Sequence, residues 1–104
     1  MIDICKTNRA TDESEFIPIC SAEQYQKLWR PAISKLNLPM LAALPALEIA
    51  LEFKTQFLSE VETLKMWAIS QNETPYVQML LEAIELIQTT LDSTDLDEYE
   101  ISFG

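Results

Sequence analysis

Residues 46–91, ALEIALEFKTQFLSEVETLKMWAISQNETPYVQMLLEAIELIQTTL, carry the pattern that decides the fold. Apolar side chains recur here at three- and four-residue spacing, the period of a helix that buries one face. From Ala46 to Gln71 the pattern is unbroken. Leu47, Ala50, Phe53, Phe57, Val61, Leu64 and Ala68 fall on one arc, with Glu48, Glu52, Ser59 and Thr63 opposite. Asn72 ends this helix, Thr74 caps a second one, and Pro75 takes its first position, where a missing N–H breaks no intrahelical bond. Tyr76 to Leu91 then keeps the same period, so residues 46–71 and 75–91 form a long helical hairpin.

Working outward, Ser21 followed by Gln24 fits a capping box and starts an earlier helix. Tyr25, Leu28, Trp29, Ala32, Ile33 and Leu36 share its apolar face, opposite Glu23, Gln26, Lys27 and Arg30. Pro31 removes a hydrogen bond and biases Arg30 away from helix, which predicts a kink or break near residue 30. Asn37 stops the helix, and Pro39 and Pro45 bracket a short helical turn. The chain ends read differently. Residues 1–6 and Phe16 to Cys20 are short β-like runs joined by a polar loop, with Pro18 placing the second run at a sheet edge or leaving it merely extended. Near the other end Tyr99, Ile101 and Phe103 alternate with Glu98, Glu100 and Ser102, the pattern of a strand. The expected architecture is a single α+β domain over residues 1–104. It is predominantly helical, with three to four helices including the hairpin, and a small antiparallel sheet from N- and C-terminal strands.

Composition narrows the chemistry. At 48% hydrophobic and 23% charged, the 104 residues can bury one core. Gly104 is the only glycine and histidine is missing, so a phosphate-cradling loop, a dinucleotide fingerprint and a histidine-based catalytic pair are excluded. Cys5 and Cys20 read as free thiols, and no catalytic, cofactor-binding or metal-ligating set is expected. The acids Asp92, Asp95, Asp97, Glu98 and Glu100 lack the spacing and turn glycine of a calcium loop and read as a solvated linker. Lys54 and Lys65, on the apolar side of the long helix, read as stems lying over apolar neighbours. Met1 to Lys6 lacks a secretory leader pattern, and Leu38 to Leu51 is interrupted by Pro39, Pro45 and Glu48. A cytoplasmic protein that does not enter membranes is therefore expected.

Two features go beyond a plain domain. A straight helix over 46–71 would be roughly 39 Å long at about 1.5 Å per residue, more than the diameter of about 33 Å expected for this chain length. An overhang of that kind, with a second helix apolar over more than half its circumference, predicts a homodimer. Charge is also uneven: all 7 basic residues lie in residues 1–65, leaving 66–104 with acids alone in a chain of net charge −10. That excess repels nucleic acid and anionic lipid and attracts a basic protein.

The expected function is therefore a non-catalytic, acidic protein–protein interaction module that self-associates and binds a basic protein partner through its last third. The residues singled out are Trp67, as an aromatic at the edge of the main helical arc, with Glu82, Glu85, Asp95, Asp97, Glu98 and Glu100. Two alternatives stand beside this: an immunity- or inhibitor-type protein that neutralises a cationic toxin or nuclease, and a carrier of a small apolar ligand.

Overall fold

Alternating apolar side chains place both ends of the chain in the middle of a sheet. In the computed structural model, which describes residues 1–44, 46–72 and 74–104, β1 (Ile2–Asn8) pairs antiparallel with β4 (Tyr99–Phe103). Ile4 lies opposite Phe103 and Lys6 opposite Ile101. On its other side β1 pairs with β2 (Ser14–Cys20), with Ile4 opposite Ile17 and an irregularity between Ile2 and Asp3. Pro18, which has no N–H to donate, sits on this outer strand as expected. With no glycine in the turns, the left-handed backbone positions fall to Asp12 at φ 59° and Asn37 at φ 57°, residue types whose short polar side chains tolerate them.

A fourth strand, β3 (Leu47–Ile49), pairs with the free edge of β4, giving the order β2-β1-β4-β3. This corrects the expected helix over 46–71. A 3₁₀ turn (Leu51–Phe53) follows β3, and the helix begins only at Lys54, running as α4 to Ser70 for 17 residues, or about 25 Å. The physical reason lies in the other half of the molecule. The outer edge of β4 would be unpaired if 46–53 were helical, whereas Leu47 and Ile49 also alternate with Glu48 and can pair there. Ile49 is only 2% exposed in that position.

The hairpin partner α5 (Pro75–Asp92) matches its expected range, with Thr74 Oγ1 accepting from Val77 N at 3.2 Å. The earlier helix is built in three pieces. The capping box forms at Ser21 and opens α1 (Ala22–Gln24), a π turn covers Tyr25–Trp29, and α2 runs Arg30–Leu36. The ring of Pro31 would press on the carbonyl of Lys27 in a regular α turn, and opening that turn to the wider π geometry, with Arg30 N–H donating to Tyr25 O, relieves the conflict. The expected irregularity thus takes the form of a π turn just before the proline. Asn37 stops α2, and Pro39 begins the short α3 (Pro39–Ala42); Pro45, the expected closing bracket, lies outside the described residues.

All the helices lie on one face of the sheet. Ile4, Ile101 and Phe103 meet Phe57, Leu64 and Ile84 there, and the rings of Phe57 and Phe103 stand 5.4 Å apart. α5 packs between α4 on one flank and β2 with the π turn on the other, so one chain supplies much of the cover its broad apolar surface needs. The opposite sheet face carries Cys5, Thr7, Phe16, Glu100 and Ser102, of which Phe16 and Glu100 are exposed and the others half-buried.

Candidate partner-binding surface

Helical geometry divides α5 into a core side, two flanks and an outer strip. Leu80, Ile84, Ile87 and Leu91 face the core. Val77 and Leu81 lie towards α4, where they line a recess with Ile69. Met79, Ala83 and Leu86 lie towards the π turn, but the flank they form is not fully closed. Met79 is 41% exposed, Leu86 is 38% exposed, and Tyr76, at the start of α5, is 66% exposed. Two adjoining open-sided recesses run between this flank and Leu28, sharing Gln24, Leu28 and Met79: one of about 260 Å³ floored by Trp29 and Leu80, and one of about 400 Å³ that reaches Tyr76. The result is one groove along the helix pair, mainly apolar towards Tyr76 and mixed towards Leu86.

The rim of the groove is polar and mainly acidic. Glu82 lines it from α5, while Glu23 and Lys27 on the opposite wall pair with each other at 2.6 Å. Glu85 is exposed on the outer strip, one turn from Glu82. Of these two residues singled out by charge, Glu82 stands at the recess and Glu85 lies one turn on, outside its lining.

Asp95, Asp97, Glu98 and Glu100 form a separate group. Asp95 Oδ1 accepts from Asp97 N at 2.9 Å and the Asp95 carbonyl from Glu98 and Tyr99, so this aspartate builds the turn into β4. Arg9 reaches across from the β1–β2 loop. Its backbone N–H donates to Glu98 O at 2.9 Å, its Nε to Leu96 O at 3.2 Å, and a guanidinium nitrogen stands 3.9 Å from Glu100. Lys6 Nζ lies 4.5 Å over the ring of Tyr99. Folding thus brings two cations from the first strand region against the acidic end of the chain, and the charge segregation seen along the sequence is softened in space.

Trp67 is half-buried against the core, and its Nε1 is enclosed with no hydrogen-bond partner among the described residues. The exposed aromatic at the groove is Tyr76 instead. Lys65 Nζ meets the side chain of Gln88 at 3.4 Å, and Gln88 in turn donates to Glu62 at 2.8 Å, a polar clamp between α4 and α5. Burial pushes the Cys20 thiol up to about 11, against a weaker opposing pull from the N-terminal amino group. Among the described residues no group of three or more His, Cys, Asp or Glu is placed to hold a metal ion, and no helix is long and apolar enough to cross a membrane.

Sequence reasoning missed Met79 and Leu86 as surface residues. The signal was present in the wide apolar arc of α5, which exceeds what one flank of α4 and one sheet can cover. No protein-family model, no curated protein and no solved structure matches this chain.

Proposed function

We propose that the chain is a non-catalytic protein-interaction module whose acidic α5 surface docks a basic protein partner. The observation that carries this reading is a partly open apolar groove on a helix that bears Glu82 and Glu85 and no basic residue. Apolar area gives a partner something to bury, and the surrounding negative charge selects its sign and speeds its approach. The buried, poorly ionising Cys20 thiol is the opposite of a nucleophile's environment. The open sides of both recesses suit a macromolecular surface better than a small apolar ligand, which would stay wet along one side.

Affinity capture from cytosol on the immobilised protein tests this, at low and high salt, beside a Glu82→Lys/Glu85→Lys variant. A basic protein retained by the parent at low salt, and lost both at high salt and with the variant, is the expected result. Retention that ignores both changes would overturn the acidic-surface reading.

Self-association is a second reading, and it rests on a different patch. Met66 and Ile69 are exposed on α4, at 58% and 55%, beside the recess lined by Val77 and Leu81. A copy docked there would use the helical hairpin for assembly and leave the α5 groove free.

A further inference from the structure

From the groove between the π turn and α5, we infer that the partner segment is a basic amphipathic helix. The inference rests on the interaction-module reading above and supplies the partner's chemistry. The groove follows α5 from Tyr76 to Leu86, roughly 15 Å at about 1.5 Å per residue, or close to three turns of a docked helix. Leu28, Met79 and Leu86 offer apolar contacts along this length, which match apolar side chains recurring at three- and four-residue spacing on the occupant. Met79 adapts its shape readily, and its sulfur already accepts a weak contact from Gln24 Nε2 at 3.9 Å.

Charge decides between occupants. Lys27 is engaged by Glu23, whereas among the described residues Glu82 has no basic partner and receives only a 3.5 Å contact from Gln78. Lysines or arginines flanking the apolar stripe of a docked helix would meet Glu82 and Glu85. A second copy docked symmetrically through α5 would instead bring these two acids against their own counterparts. An acidic or neutral helix would leave the same carboxylates uncompensated.

Three labelled synthetic helices, read by fluorescence anisotropy against the full chain, test the assignment: leucines at helical spacing with lysine elsewhere, the same leucines with glutamate, and the same lysines with serine replacing leucine. The leucine–lysine helix is expected to bind at least about tenfold more tightly than either of the others. Met79→Ser/Leu86→Ser, at exposed positions whose retained fold a thermal melt verifies, should weaken it by about tenfold or more. Glu82→Gln/Glu85→Gln should weaken it several-fold and flatten its salt dependence.

If the leucine–lysine helix binds Met79→Ser/Leu86→Ser as well as it binds the parent, basic helices gather on the acidic surface at large. The groove assignment then falls while the interaction-module reading stands. Equal binding of the leucine–glutamate helix overturns the charge selection. A dimer that disperses in Met79→Ser/Leu86→Ser overturns the assignment in favour of a second copy. If none of the helices binds while capture still returns a basic protein, the groove is not its dock; if capture fails as well, both readings fall.

Discussion

Glu60 is only 7% exposed, and of its two carboxyl oxygens one is held by backbone while Oε2 is enclosed with no hydrogen-bond partner among the described residues. Its Oε1 accepts from the backbone N–H groups of Met40 and Leu41 at 2.9 and 3.1 Å, so α4 supplies the cap that α3 lacks in its own sequence. Glu60→Ala would leave both amides without that acceptor and should cost about 2–3 kcal/mol in urea unfolding, whereas Glu60→Gln keeps an acceptor oxygen and should cost about 1 kcal/mol.

Cys20 and Tyr25 set the alkaline limit at the same scale. Burial raises the Cys20 thiol from 9.0 to about 11, and burial also raises the Tyr25 hydroxyl, against the opposing Arg30 guanidinium. Tyr25 also donates from its hydroxyl to the Leu41 carbonyl at 2.6 Å, a bond lost on ionisation. Both groups keep their protons to higher pH when folded, so their contribution is complete below the unfolded values and is lost as pH rises through the folded ones. Urea midpoints should therefore fall as pH climbs from 9.0 towards about 11. Cys20→Ala should flatten the decline; an unchanged slope would remove the thiol from the account.

The segment 46–53 shows where an element's own sequence stops being decisive. In Leu-Glu-Ile-Ala-Leu-Glu-Phe, apolar residues stand both two apart and three or four apart, so strand and helix fit equally well. What resolves the choice is the open edge of β4, which lies some fifty residues away in sequence and is invisible to any local window. The remaining elements carried their own punctuation: the Ser21 and Thr74 caps, the Asn37 stop and the alternation in 99–103 were all legible. The acids of the candidate surface were legible as well, but not the arrival of Arg9 beside Glu100 nor the gap that leaves Met79 open, because both depend on which elements become neighbours.

Pairing of β3 with β4 can be read chemically. Glu48 and Ser102 are direct cross-strand partners, so Glu48→Cys/Ser102→Cys, with Cys5 and Cys20 replaced by alanine, should form an intramolecular disulfide under mild oxidation. A helical 46–53 would hold the two thiols apart and leave them free to alkylation.

At the scale of the whole molecule, the extents are 44 × 24 × 21 Å with a radius of gyration of 13.5 Å. At about 25 Å the shortened α4 is less than the diameter of about 33 Å expected for this chain length, and the overhang that pointed to a second copy is gone. The patch offered for self-association is Met66 and Ile69 on α4. If they assemble the protein, light scattering should give a salt-insensitive mass near twice 11.9 kDa that returns to 11.9 kDa in Ile69→Lys. A single-copy mass for the parent at every salt concentration would remove the homodimer.

The central strands β1 and β4 join opposite ends of the sequence, closing with Asp3 N–H to Gly104 O at 2.9 Å and Gly104 N–H to Asp3 O at 3.1 Å. During synthesis β1 emerges about ninety residues before β4, and its inner edge must wait for that length of chain before its mate exists. The β1–β2 hairpin and the helices can gather meanwhile, but the layer against which they pack is incomplete until Ile101 and Phe103 leave the ribosome. Folding of this unit thus waits until β4 has been made, and a nascent chain halted short of β4 exposes an unpaired strand edge to whatever holds or degrades unfinished proteins.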